Sequence, residues 1–199
     1  MLKWKKKWLV MAFLNGIYGY GYGVQPIWNF YWGENIVPNV YSSYHDADMN
    51  WVDGVYAEAA EDLSFMKTFL TETLNTYGVN WWELMPCFSG NDYYEQATTN
   101  ADHKFSVSTI DKDGDGVIDV YLGYFAGTET LNLGTFKGMA KNTKYTYKWY
   151  DCATGSLGAT YTFTANSSGQ HGVTIDNFLS WNDSPKPSKE DMILIATRN

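Results

Sequence analysis

From about Phe88 onward the sequence is cut into short apolar–polar alternations by glycine-containing turns, and no other feature restricts the fold as much. Phe105 to Ile110, Ile118 to Tyr124, Glu129 to Leu133, Tyr145 to Tyr150, Thr160 to Thr164, Gly172 to Ile175 and Met192 to Thr197 read as short strands. Tyr145, Tyr147 and Trp149 alternate with Thr146 and Lys148, and Ile118, Val120, Leu122 and Tyr124 alternate likewise. Period two puts such residues on one face of a pleated strand. Asp113-Gly114, Asp115-Gly116, Thr154-Gly155 and Ser168-Gly169 supply the turns between them. Short strands punctuated in this way predict an antiparallel β-sandwich over residues 88–199. An aromatic fraction of 18% suits β-structure, and it suits surfaces that stack on sugars.

Upstream of residue 88 the periodicity is helical. Leu63, Met66, Leu70, Leu74 and Tyr77 recur on one face, widened by Phe69, and predict a helix over Ala57 to Tyr77. Glu58, Glu61 and Asp62 lie near its start, where the helix dipole favours acids, and Gly78 ends it. The first residues have two readings. MLKWKKK followed by Trp8 to Leu14 has the order of a secretion signal, but its apolar run is short and no small-x-small cleavage pattern follows. Trp4, Trp8, Met11 and Ala12 instead fall on one helical stripe, with Lys3, Lys6 and Lys7 off it and Gly16 as the stop. The amphipathic helix is the favoured reading. Ile17 to Gly23, where Tyr alternates with Gly, reads as a short strand, and Val24 to Asp53 reads as a long loop rich in aromatic residues.

Several function classes are disfavoured. A net charge of −8 argues against nucleic acid as the main partner, because phosphate binding needs clustered Lys and Arg, and Arg198 is the sole arginine. No run of apolar residues is long enough for a membrane-spanning helix. The Gly-Tyr-Gly-Tyr-Gly segment is not a dinucleotide fingerprint. Cys87 and Cys152 lie in no CxxC or Cys/His cluster, so zinc is unsupported. Two thiols are the expected state, with a single disulfide as the alternative that spacing does not decide.

Asp111, Asp113 and Asp115 stand at positions 1, 3 and 5 of a loop with Gly116 at position 6, the oxygen-ligand spacing of an EF-hand. They are candidate Ca2+ ligands, with Asp119 as a further one. Position 12 is Leu122, so the bidentate acid of that loop is missing, and the flanks read as strands. A polar hairpin turn is the alternative reading of the same residues. The aromatic segment Tyr18 to Trp32 is a candidate sugar-binding wall, against the plainer reading of core packing. Asp46, Asp48, Asp53, Glu58 and Glu83 offer carboxylates for glycosidic acid–base work, but no spacing singles out a pair. His45, His103 and His171 are scattered.

Three stretches resemble one known family. Asn15-Gly-Ile-Tyr-Gly-Tyr-Gly-Tyr-Gly-Val-Gln-Pro-Ile-Trp28 resembles the last barrel strand of apiosidase-like glycoside hydrolases. Leu63 to Tyr77 followed by Trp81-Trp82-Glu83-Leu84-Met85-Pro86 resembles that family's final barrel helix and its exit. Trp149-Tyr150-Asp151-Cys152-Ala153-Thr154-Gly155 resembles a motif of the β-sandwich that follows, a domain named for collagen binding in a collagenase. The sequence departs at Cys152-Ala153, where the family tends to have Pro-Arg.

The resemblance implies an α+β chain in two parts: an incomplete (β/α)8-barrel remnant over residues 1–87, then an antiparallel β-sandwich over residues 88–199. A complete barrel needs about 250 residues, with catalytic groups at the ends of several strands. The family's two catalytic carboxylates are expected on earlier strands, so no catalytic residue is carried over and no hydrolysis by this chain alone is expected. Tyr20, Tyr22 and Trp28 remain as contributors to the cleft wall. The implied partners are plant-type polysaccharide and the missing N-terminal part of the barrel. The implied location is secreted or periplasmic, without a convincing signal peptide in this chain. Asn166-Ser-Ser and Asn182-Asp-Ser fit the glycosylation pattern of a eukaryotic secretory host.

Overall fold

The alternation that begins near residue 88 is realised as antiparallel sheet. The computed structural model describes residues 10–17, 52, 56, 58–87, 93–96, 105–126, 131–175 and 191–199. Among these, the strands are β1 (Met85–Cys87), β2 (Tyr94–Gln96), β3 (Phe105–Ile110), β4 (Val120–Phe125), β5 (Leu131–Phe136), β6 (Lys144–Asp151), β7 (Ser156–Leu157), β8 (Tyr161–Thr164), β9 (His171–Ile175) and β10 (Met192–Arg198). A larger sheet has the order β1-β3-β4-β10-β6-β7, with β8 also paired to β6, and a smaller one has the order β2-β5-β9. All of these pairings are antiparallel. The molecule is thus β-rich with few helices. No helix among the described residues is long and apolar enough to cross a membrane.

The larger sheet is covered on both faces, which is why β3 and β4 are buried along their whole length. Tyr121 and Phe125 of β4, Tyr145, Tyr147 and Trp149 of β6, and Met192, Leu194 and Ala196 of β10 point to one face. There they meet Tyr94 and Phe136 of the smaller sheet, and Tyr121 stacks on Phe136 with ring centroids 4.7 Å apart. The intervening residues Val120, Leu122 and Tyr124 of β4 and Ile193 and Ile195 of β10 point to the other face. They pack under Val10, Met11, Leu14, Met66, Phe69, Leu70 and Leu74 of the helical segments. Burying each such side chain contributes about 1.5–3 kcal/mol. Residues before and after position 88 therefore share one apolar core on this face, and β1 extends the sheet by pairing with β3.

The helix expected over Ala57 to Tyr77 is realised as three kinds of turn. α1 (Glu58–Thr68) passes into a π-helical turn (Phe69–Thr73) and then a 3-10 turn (Leu74–Tyr77). The Tyr150 hydroxyl donates to the Phe65 carbonyl at 2.7 Å, just before the winding changes, and the Tyr150 ring lies 4.7 Å from that of Phe69. A tyrosine from the sheet thus engages the helix backbone where its winding alters. Gly78 ends the segment with φ 65°, and its N–H donates to Asn75 and Leu74, a left-handed stop that a glycine makes without steric cost. Residues 10–14 are also helical and turn at Asn15-Gly16, as expected. This short helix is tied to β3, because the Asn15 amide donates to the Ser106 hydroxyl at 2.9 Å and the Ser108 hydroxyl donates to the Leu14 carbonyl. The expected strand Ile17 to Gly23 and the loop to Asp53 lie outside the described residues, apart from Ile17 and Val52.

Strand boundaries depart from expectation where something other than the ladder holds the chain. Ile118 lies outside β4, since its N–H donates to the Gly138 carbonyl at 2.7 Å and its carbonyl accepts from the Tyr145 hydroxyl at 2.9 Å. β5 runs to Phe136 and carries a register shift between Asn132 and Gly134 against β9. β1, β2 and β7 span only two or three residues each, too few to leave a period in the sequence. Pro86 in β1 is tolerated because β1 lies at the edge of the sheet among the described residues.

Candidate functional site

The acidic turn joins β3 to β4 and is organised mainly by its own side chains. The two Asp111 carboxylate oxygens accept the N–H groups of Gly114 and Gly116, each at 2.8 Å. Asp113 accepts from the Asp115 N–H at 3.3 Å, and Asp115 accepts from the Val117 N–H at 2.7 Å. Slight desolvation raises the Asp111 carboxyl, but the N–H groups of Gly116, Gly114 and Asp115 outweigh it and hold the carboxyl below the usual carboxylate range. One oxygen from each of Asp111, Asp113 and Asp115 falls within 4.8 Å of the others. The structure therefore brings three of the four candidate calcium ligands together.

The fourth, Asp119, is engaged elsewhere. Its carboxylate accepts from Arg198 Nε at 2.8 Å and from the Lys112 N–H at 2.8 Å. The Arg198 guanidinium also lies 3.7 Å from Asp113 and 3.9 Å from Asp115. Leu122, at the loop position that would supply a bidentate acid, is fully buried in the core. A calcium ion gathers roughly six to eight oxygens. The turn matches it in donor type and falls short in number, and a guanidinium already supplies positive charge there. The side chain of Lys112 reaches across to the Tyr77 carbonyl, so the turn is also tied to the end of the helical segment.

The other candidates are dispersed. Tyr20, Tyr22 and Trp28 lie outside the described residues, as do Asp46, Asp48, Asp53, His45 and His103. Glu83 accepts from the Asn80 backbone N–H at 3.0 Å and from its side-chain amide at 3.2 Å, which closes the 3-10 turn Trp81–Glu83. His171 stacks on Phe163 with centroids 4.0 Å apart. Burial pushes its imidazole down to about 4, against the opposing hydrogen bond with the Thr164 backbone. Cys87 and Cys152 are both buried thiols, packed in the two different clusters.

The segment Trp149 to Gly155 closes β6 and turns into β7. Trp149 is buried between the sheets, and its indole N–H has no acceptor among the described residues. Asp151 accepts from the Ala153 N–H at 2.7 Å and the Thr154 N–H at 3.2 Å, which shapes the turn. Gly155 sits at φ 68°, where an added Cβ would come within 2.8 Å of the Phe65 ring. Two features escaped sequence reasoning. The convergence of Arg198 on the acidic turn had one available signal, its being the sole arginine. The exposed indole of Trp82, 56% accessible, had none beyond its residue type.

No family model matches the chain, and no curated protein matches it. Among solved structures, the chain is similar to one described as a glycoside hydrolase, with a TM-score of 0.61 and 17% identity over 98% of this chain. It is also similar to a glycoside hydrolase family 5 protein from Bacteroides vulgatus, with a TM-score of 0.63 and 17% identity over 98% of this chain. The chain spans 36% of the length of each of these structures. At this identity the likeness is one of fold: almost the whole chain, helical segments and sheets together, follows part of a glycoside hydrolase.

Proposed function

We propose that the chain is the C-terminal portion of an apiosidase-like glycoside hydrolase. In this reading residues 1–87 are the closing part of a (β/α)8 barrel and residues 88–199 are an antiparallel β-sandwich. The observation that carries it is the fold likeness to glycoside hydrolases, which runs through the helical segments and both sheets. The packing of Tyr121 against Phe136 between the sheets supports the sandwich half. The acid–base pair belongs to barrel strands outside this reading of the chain, so no residue here is given a catalytic role. This reading assigns substrate contact to Tyr20, Tyr22 and Trp28, takes plant-type polysaccharide as the substrate, and takes the protein as exported.

A second reading is a binding module for polysaccharide or matrix protein, favoured by the exposed indole of Trp82. Titration calorimetry of the full chain against soluble plant polysaccharides and collagen tests both. Saturable heat with a polysaccharide is expected. Heat with collagen alone would favour a matrix-binding module, and silence with every glycan would contradict the carbohydrate reading.

A further inference from the structure

We propose that Asn15-Gly16 is a deamidation site, and that its conversion to aspartate or isoaspartate unpins the short helix of residues 10–14 from β3. The inference is independent of the carbohydrate reading. Asn15-Gly16 is the sole Asn-Gly pair in the sequence. Glycine has no Cβ, so its backbone nitrogen approaches the preceding side-chain carbonyl carbon unhindered. Both residues are half-buried, and Ile17 beyond them is 52% exposed, so water has access to the pair.

In the reaction the Gly16 nitrogen bonds to Asn15 Cγ and gives up its proton. The Cγ–Nδ2 bond breaks, and ammonia leaves with that proton, closing a five-membered succinimide. Water then opens the ring at Cγ to give aspartate, or at the main-chain carbonyl to give isoaspartate. The fold sets the rate. The Gly16 N–H donates to the Phe13 carbonyl at 3.1 Å, and the Asn15 amide donates to the Met11 carbonyl at 2.6 Å and to the Ser106 hydroxyl at 2.9 Å. Attack therefore waits until this turn opens.

The same contacts give the consequence. The Asn15 amide donates to one oxygen in its own helix and to one on the sheet, whereas a carboxylate donates to neither. The Ser106 hydroxyl is able to turn and donate to the new carboxylate, but the Met11 carbonyl is left facing a negative oxygen. Isoaspartate also inserts Cβ into the main chain. That displaces Gly16 from Pro86, to which an added Cβ would already come within 3.1 Å, and disturbs the bond from the Ile17 N–H to the Ala12 carbonyl at 3.0 Å. Val10, Met11 and Leu14, which this helix buries against the sheet, then lose their seat.

The test is incubation of the full chain at 37 °C and pH 7.4, folded and in urea, for wild type and Ser106→Ala. Peptide mass spectrometry reads conversion at Asn15. Anion exchange separates the aged product, which carries one more negative charge, and hydrogen exchange is measured on that product and on Asn15→Asp. The expected result is conversion at Asn15 in the folded wild type, slower than in urea, and about two- to tenfold faster in Ser106→Ala, which removes one acceptor of the amide. Exchange over residues 10–14 rises about tenfold or more in the product, while β4 and β10 keep wild-type protection. No conversion in the folded chain, where the urea-unfolded chain converts, would overturn the site. Wild-type exchange over residues 10–14 in the aged product would overturn the unpinning, and that product answers the question even where Asn15→Asp fails to fold.

Discussion

Replacing Arg198 with alanine removes the cation that closes the β3–β4 turn, and its cost follows from the geometry. The guanidinium makes a 2.8 Å contact with Asp119, whose side chain is only 10% exposed, and longer contacts with the more exposed Asp113 and Asp115. Removing one partner of a buried ion pair costs about 3–5 kcal/mol, because the remaining charge is stranded. Arg198 is itself 27% exposed, so water can partly solvate what is left, and the Lys112 N–H stays on Asp119. The exposed contacts add about 0–1 kcal/mol each. The backbone bond from the Arg198 N–H to the Asp119 carbonyl, 2.8 Å, survives the substitution. The expected loss is about 2–4 kcal/mol, or roughly 5–15 °C in Tm for a chain of this size. Calorimetric or urea melts of wild type, Arg198→Ala, Asp119→Asn and the double variant provide the measurement. The double variant is expected to lose less than the two singles combined, because the stranded charge is gone. A Tm change under about 1 °C in Arg198→Ala, or strict additivity, would refute the reasoning.

Three further outcomes are expected. His171 is held near 4 in the fold against an ordinary 6.5, so the unfolded chain carries the extra proton between those values. Stability attributable to it falls as pH drops from about 6.5 to about 4 and is level below that. The full shift would be about 3 kcal/mol, reduced to about 1–2 by partial exposure. Urea melts against pH should lose that slope in His171→Phe, and an unchanged slope would contradict the assignment. Gly155→Ala forces a left-handed backbone and pushes a Cβ toward Phe65, so a loss of about 1–3 kcal/mol is expected in equilibrium melts, and a neutral result would contradict it. Because Arg198 supplies charge to the acidic turn, EDTA should leave the Tm unchanged, whereas a drop restored by millimolar Ca2+ would establish a metal there.

How much of this was legible depended on the range of the forces involved. β3 was legible to its ends because six consecutive residues form one uninterrupted ladder with β4. β4 was legible as a strand, but its burial on both faces was not, because the cover comes from helices distant in sequence. Phe69 and Leu70 announced a helix, but nothing in their spacing announced a π-helical turn, which coincides with a contact from Tyr150 in β6. In the acidic turn, the spacing of Asp111, Asp113 and Asp115 revealed the cluster. It could not reveal that Asp119 faces Arg198, since that pairing exists only once β10 enters the sheet beside β4. Trp81 and Trp82 were legible as part of a family-like motif, while the packing of Trp81 on Phe13, from the far end of the segment, and the exposure of Trp82 were not.

The most direct test of the account is an assay of reducing-end release by the full chain on a broad panel of plant polysaccharides and aryl glycosides. The account predicts no turnover above buffer. Turnover that disappears on substituting one of the chain's own Asp or Glu residues would contradict it.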